Sequence, residues 1–304
     1  MNQTPATPVA SEAPSAWRET LAGGGGLVVR GEPGEVPLLF LHGAGGGAWS
    51  WAPQAVSLAH DRRTYAWEAR GHGASPRVAD AGMADYYLDA QQGLERVIAL
   101  EGRSPVVAGH STGGLLALAL AASRPDSVAG LFLVEPVYFG QGLALGSGPF
   151  GPFGTLARPF LALLARGFER DSPQARIFAR YLFSLTFHDR TAMERAWLEQ
   201  RSQVPIEYRR ALLELAGDPS GFPLRLFAEE VRVPTRLFEG SAGLFQPQFP
   251  NLVAQLRQAL GTAFSHRLLS GGHYLQLDRE PAVTAGLRDF VALFAAGSAA
   301  GGPL

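Results

Sequence analysis

The residues with the clearest chemical potential are 109–113, whose sequence Gly-His-Ser-Thr-Gly follows a G-x-S-x-G pattern. This pattern is typical of a tight turn between a strand and a helix, where the central serine presents its hydroxyl for nucleophilic attack. The glycines at both ends allow the close backbone approaches that such a turn requires. An apolar stretch at 105–108 and an Ala/Leu-rich stretch at 115–120 predict the strand and the helix on either side. The pattern therefore predicts Ser111 as a nucleophile.

Attack of a serine on an acyl carbon needs two N–H donors at the point where negative charge develops. Thr112 directly follows the serine and supplies one of these amides. A glycine-rich loop follows the predicted strand 36–41. We expect Ala44 in this loop to supply the second amide, with Gly45 as the alternative. The other interpretation is that this loop only turns the chain.

A histidine and a carboxylate are also predicted at the edge of the sheet where the serine lies. The chain has 7 histidines, and His273 is the one on a glycine-flanked loop after the last predicted strand. Glu135 ends the predicted strand 128–134. A carboxylate at that position is costly unless it has a partner, and ligands bind at this edge of open α/β sheets. For His110, beside the serine, we predict a packing role.

Strand and helix patterns alternate along the chain, which predicts an α/β fold with a mostly parallel, doubly wound sheet and helices on both faces. Continuous apolar runs are typical of buried parallel strands, and helical spacing marks residues 83–100 as an amphipathic helix that Gly102 ends. The other predicted strands that matter for the site are 63–67, 105–108, 128–134, 233–238 and 264–269.

The domain organisation follows from where this alternation begins, breaks and ends. Residues 1–20 are rich in Ala, Pro, Thr and Ser and are predicted to be a disordered tail, so that 27–29 would be the edge strand. We predict a core from 21–137 and 233–297, and a tail at 298–304. Residues 138–232 have no strand pattern and are predicted to form an inserted α-helical lid, with helices at 156–168 and 173–216.

Composition excludes several classes of function. The chain has 304 residues, 46% hydrophobic content and a formal net charge of -1, which does not favour nucleic acid or an anionic membrane as a partner. It has no cysteine, and no metal-ligand spacing occurs, so neither a metal nor another cofactor is predicted. No signal peptide or membrane span is recognisable, and a cytoplasmic location is expected. The sequence does not indicate an oligomeric state.

Taken together, these features resemble the α/β-hydrolase family with a helical lid, over about residues 25–295. The resemblance rests on the loop at His42 and Gly43, on Arg-Gly-His-Gly-Ala-Ser at 70–75, on the G-x-S-x-G turn, and on Gly-Gly-His-Tyr at 271–274. It implies that Ser111 is the nucleophile and that His273 is the general base. These motifs indicate the fold and no particular substrate.

The position of the acid departs from the usual family pattern. Most members carry an aspartate shortly after the strand that matches 235–238, where this chain has Gly243. Some members carry the acid after the strand that follows the nucleophile helix, which is the place of Glu135. The order serine, acid, histidine is that of the fold. We therefore predict Glu135 as the acid, with Glu239 as the alternative.

The resemblance implies a serine hydrolase that cleaves a carboxylic ester of a largely apolar small molecule through a Ser-His-Glu triad and an acyl-enzyme. The same residues would also serve a C–C bond hydrolase, a lactonase or a perhydrolase. A non-catalytic small-molecule receptor with the same fold is a further alternative.

Overall fold

An eight-stranded sheet forms the centre of the protein. The computed structural model describes residues 15–78, 81–137, 177, 180–181, 183–201, 228–242 and 249–295. The strands are β1 Ala16–Thr20, β2 Gly26–Arg30, β3 Leu38–Leu41, β4 Thr64–Glu68, β5 Val106–His110, β6 Gly130–Val134, β7 Thr235–Gly240 and β8 Phe264–Leu269. Their order in the sheet is β1-β2-β4-β3-β5-β6-β7-β8. β1 pairs antiparallel with β2 and β2 with β4, and the other neighbours are parallel.

Helices cover both faces of this sheet, which confirms the predicted α/β class. The helices are α1 Ala52–Leu58, α2 Met83–Glu101, α3 Thr112–Ser123, α4 Arg190–Arg201, α5 Phe249–Leu260, α6 Leu275–Asp278 and α7 Glu280–Val291. One apolar core joins the sheet to α2, α3 and α5, and a second joins it to α1 and α7. No helix within the described ranges is both long enough and apolar enough to cross a membrane.

The core begins closer to the N-terminus than the predicted boundary at residue 21, because β1 begins at Ala16. Residues 1–20 were expected to be a disordered tail, but Ala16–Thr20 forms β1 along the edge of the sheet. β2 is therefore an interior strand, and not the predicted edge strand. Four of the five β1 residues are exposed, so this segment has little apolar burial of its own and depends on backbone pairing with β2. The predicted C-terminal tail at 298–304 lies outside the described residues.

The insertion predicted at 138–232 is described only in part. It contains α4, which falls within the predicted helical region 173–216. The predicted helix 156–168 lies outside the described residues. The role of the insertion as a lid stays a prediction.

A buried ion pair fixes the loop that carries the Arg-Gly-His-Gly motif. Arg70 donates two hydrogen bonds to the carboxylate of Asp89 on α2, at 2.7 and 2.6 Å, and the Asp89 side chain is fully buried. Removal of the guanidinium would leave a carboxylate buried without its partner, which is more costly than loss of an exposed pair.

We therefore expect Arg70→Ala to lower the free energy of unfolding by about 3–5 kcal/mol, measured by urea denaturation. Arg288→Ala is the matched control, because Arg288 pairs with Asp61 at 2.7 Å on the surface, where both side chains are nearly half exposed. Its loss should be below about 1 kcal/mol. Equal losses in the two variants would contradict a structural role for the Arg70–Asp89 pair.

Candidate active site

Ser111 lies in a strained turn between β5 and α3. Its backbone has φ 54° and ψ −121°, in the left-handed region that residues other than glycine rarely occupy. The flanking glycines are required by close packing. A Cβ on Gly113 would lie 2.3 Å from the carbonyl oxygen of Leu41, and one on Gly109 would lie 2.5 Å from the carbonyl oxygen of Gly113. The predicted strand–turn–helix context of the serine is therefore present.

Backbone hydrogen bonds join this turn to the end of β6. The Ser111 N–H donates to the carbonyl of Val134 at 3.2 Å, and the Val137 N–H donates to the carbonyl of Ser111 at 3.0 Å. Glu135 lies between Val134 and Val137 in the chain. The turn that carries the serine and the turn that carries the carboxylate thus have fixed relative positions.

Glu135 reaches His273 across the end of the sheet. The Glu135 side chain is fully buried, and its Oε2 lies 3.3 Å from Nδ1 of His273. Its Oε1 accepts a hydrogen bond of 2.5 Å from the N–H of Gly240 at the end of β7. The backbone of Glu135 also has a positive φ, 45°. Such strain is retained where the surrounding structure fixes the residue, and it is concentrated at functional sites.

Burial opposes the charged forms of both partners in this pair. It raises the pKa of the Glu135 carboxyl to about 8, against the lowering effect of the Gly240 hydrogen bond. It lowers the pKa of the His273 imidazole to about 3. Because the two groups share a hydrogen bond, they take up and release protons as a pair rather than independently.

The alternative acid, Glu239, has a different partner. It lies within β7, and its Oε2 is 2.8 Å from Nε2 of His266 on the neighbouring strand β8. Glu239 and His266 therefore form their own pair beside the sheet. The geometry brings Glu135, and not Glu239, to the ring of His273.

The glycine-rich loop after β3 and the first turn of α3 together present two backbone amides. No acceptor occurs among the described residues for the N–H of Ala44 or of Thr112. The N–H of Gly45 is engaged by Nε2 of His72 at 3.3 Å. This geometry favours Ala44 over Gly45 as the second donor. Both amide-bearing residues line a cavity of about 20 Å³, together with the buried side chains of His42, His72, Trp67, Met83, Tyr86 and Leu116.

His110 forms a hydrogen bond in addition to packing, and the sequence analysis predicted packing alone. Its Nε2 donates a 2.9 Å hydrogen bond to the backbone carbonyl of His273. Its ring centroid lies 4.8 Å from that of His273 and 4.7 Å from that of Tyr274. The only available signal was its position beside the serine, which does not indicate a partner 163 residues away.

Asp278 was also missed, and it connects the His273 loop to the insertion. Its buried carboxylate accepts backbone N–H bonds from Gly272 at 2.7 Å, His188 at 2.8 Å and Asp189 at 3.0 Å.

An aromatic cluster completes the surroundings of the His273 loop. Tyr274 stacks on Phe187 of the insertion with ring centroids 4.7 Å apart and on Trp49 at 6.0 Å. Phe183 packs against the same tyrosine at 5.3 Å. Apolar rings from the core and from the insertion therefore meet directly beside the predicted base.

Among the residues that the structure describes, no group of three or more His, Cys, Asp or Glu side chains could hold a metal ion.

The fold and this arrangement place the chain in a known class. The model of the α/β hydrolase family matches residues 38–287, and the chain belongs to that family. This confirms the resemblance that the motifs indicated.

Proteins that are similar to parts of this chain are named for different activities. A segment of 104 residues is 36% identical to the 1-acylglycerol-3-phosphate O-acyltransferase ABHD5 of Rattus norvegicus, covering 34% of this chain and 30% of that protein. A segment of 125 residues is 35% identical to the 2-hydroxymuconate semialdehyde hydrolase of Pseudomonas sp. (strain CF600), covering 40% of this chain and 44% of that protein. The matched segments thus span less than half the length of both curated relatives.

Solved structures resemble the chain over nearly its whole length. A thermophilic esterase from Thermogutta terrifontis has a TM-score of 0.70 and 18% identity, over 92% of this chain and 99% of that one. The enol-lactonase from Burkholderia xenovorans LB400 has a TM-score of 0.67 and 20% identity, over 90% of this chain and 99% of that one. At these identities the likeness concerns the fold alone.

Proposed function

We propose that the protein is a serine hydrolase that cleaves a carboxylic ester of a largely apolar small molecule. The observation that carries this proposal is the buried hydrogen bond between Glu135 and His273 beside the strained Ser111 turn. A nucleophile, a base and an orienting acid are the groups that acyl transfer through a serine needs. The aromatic cluster at Tyr274 supports an apolar substrate.

In the proposed mechanism, Oγ of Ser111 attacks the acyl carbon while Nε2 of His273 takes its proton. The amides of Ala44 and Thr112 stabilise the oxyanion of the tetrahedral intermediate. The intermediate then expels the alcohol, which receives the proton from His273. Water attacks the acyl-enzyme with His273 again as base, and the second tetrahedral intermediate collapses as His273 returns this proton to Oγ of Ser111 and the carboxylic acid leaves. Glu135 accepts the Nδ1–H of His273, which keeps Nε2 available for the serine proton.

A C–C bond hydrolase is the second candidate, because the same three side chains would serve it and one relative is named a 2-hydroxymuconate semialdehyde hydrolase. The two candidates differ in the bond broken and not in the nucleophile. Lactone and peracid chemistry would use the same site.

Two measurements test the proposal. Labelling of Ser111 by a fluorophosphonate, located by mass spectrometry, separates an enzyme from a non-catalytic receptor of the same fold. A hydrolysis screen over acyl length and alcohol size, run beside a vinylogous diketone and a lactone, then separates the ester hydrolase from the other candidates. A protein that is labelled but hydrolyses only the diketone would favour the C–C hydrolase.

The proposed mechanism also predicts how the rate depends on pH. The active form of the pair has an ionised Glu135 and a neutral His273, so a proton taken up by the pair inactivates it. We expect kcat/KM to rise with pH, with an apparent pKa between about 6 and 8 that belongs to the pair.

In Glu135→Gln the carboxylate charge that favours the imidazolium is gone, and burial alone lowers the pKa of His273. The rising limb should therefore move to lower pH in this variant. A flat wild-type profile from about pH 5 to 8, with chemistry rate-limiting, would contradict this assignment.

A further inference from the structure

His110 is buried in a way that packing alone does not explain. Its exposed fraction is 1%, and its Nδ1 has no hydrogen-bond partner among the described residues. A buried nitrogen without a partner costs free energy that a phenylalanine ring at the same place would avoid. The imidazole therefore offers a compensating contact that an apolar ring cannot make.

That contact is the hydrogen bond from Nε2 to the carbonyl of His273, at 2.9 Å. Because a carbonyl only accepts, Nε2 must carry the proton and Nδ1 the lone pair. Burial, followed by the nearby His273 imidazole, lowers the pKa of His110 well below its usual value. The ring is thus neutral and keeps one tautomer, so the donor is present at every pH at which the site would work.

The position of His110 places this donor between the Ser111 turn and the loop that carries His273. Its backbone is adjacent to Ser111, and a Cβ on Gly43 would lie 3.0 Å from its Nδ1 and 2.8 Å from Cβ of Ser111. The His110 side chain therefore extends from the residue before Ser111, lies close to Gly43, and bonds the backbone of His273. The Glu135 contact fixes the imidazole of His273 from the other side.

We propose that His110 is a positioning residue, whose Nε2–H holds the His273 backbone at a fixed distance from the Ser111 turn. This rests on the proposed function, since it assumes that His273 takes the serine proton. A displacement of the base by a fraction of an ångström lowers the rate of proton transfer without changing the binding of an apolar substrate. His110 itself does not touch the reacting atoms.

The test uses three variants of the full chain that differ in where a donor is placed. His110→Phe keeps a ring and removes the donor. His110→Asn places an amide at the Nδ1 position, too short to reach the His273 carbonyl, whereas His110→Gln places it at the Nε2 position. We expect kcat to fall about 10–100-fold in the Phe and Asn variants with KM changed less than about threefold. His110→Gln should recover to within about fivefold of the wild type.

Two further readouts separate positioning from folding. The downfield proton resonance of the His273–Glu135 hydrogen bond should broaden or vanish in His110→Phe and remain in His110→Gln. Thermal unfolding midpoints identify any variant that does not fold, and the Asn–Gln comparison decides the question if the Phe variant fails.

The inference is overturned if the Asn and Gln variants lose activity equally, or if all three remain within about threefold of the wild type. If the wild-type protein itself is neither labelled by a fluorophosphonate nor active on any ester, the proposed function fails, and this inference fails with it. A labelled wild type with an unaffected His110→Phe variant overturns the inference alone.

Discussion

Ser111→Ala is expected to abolish ester hydrolysis, with a loss in kcat on the order of 10⁵–10⁶. The variant removes only one oxygen, and alanine keeps the Cβ that the turn already accommodates at φ 54°. The backbone hydrogen bonds to Val134 and Val137 do not involve the side chain. The loss should therefore arise from chemistry and leave folding intact. Steady-state kinetics, fluorophosphonate labelling and thermal unfolding measure the three quantities.

Ser123→Ala is the matched control, because Ser123 ends the same helix and its hydroxyl donates to the carbonyl of Ala119 at 2.7 Å. It should retain activity within about twofold, since it is remote from the site. Near-normal turnover in Ser111→Ala, after removal of any wild-type contamination, would refute the assignment of the nucleophile.

Glu135→Gln is expected to lower kcat by a factor on the order of 10²–10⁴. An amide nitrogen facing Nδ1 of His273 would donate a hydrogen bond, which places the imidazole proton on Nε2. A protonated Nε2 cannot take the proton of the serine. The nucleophile and the base remain present, so the loss should be smaller than for Ser111→Ala.

Glu239→Gln is the control for this change. It removes a carboxylate on the neighbouring strand β7, and this carboxylate bonds His266 and not His273. It should lower kcat by less than about tenfold. If Glu239→Gln is the damaging change and Glu135→Gln is nearly silent, the proposed acid is wrong.

The fold could be predicted because its signals are local. The apolar runs of β3, β5 and β6 are continuous, α3 is rich in Ala and Leu on all sides, and Gly102 ends α2 in the left-handed conformation. Each of these features is recognisable from a short stretch of neighbouring residues in the sequence. The order of the strands then brings Ser111, Glu135 and His273 to one edge of the sheet.

What could not be predicted depends on contacts between distant residues. β1 has few apolar residues, and it is held by backbone pairing with β2 and by ion pairs from Arg18 and Glu19 to distant residues. The choice between Ala44 and Gly45 depends on a hydrogen bond from Gly45 to His72, 27 residues away. The partners of His110 and Asp278 are likewise set by the assembled fold. A histidine beside a serine looks the same in sequence whether it packs or donates.

The three hydrogen bonds to Asp278 have a consequence for how such insertions are exchanged between relatives. Two of the donors, His188 and Asp189, lie within residues 138–232, while Asp278 and Gly272 belong to the core. A chimaera that replaces the whole insertion would leave this buried carboxylate with one donor and loosen the backbone of His273. A crossover upstream of Phe183 would keep the anchor and the Tyr274 stack. We therefore expect chimaeras that keep residues 183–189 together with the loop that carries His273 to retain the position of that loop when residues upstream of Phe183 are exchanged.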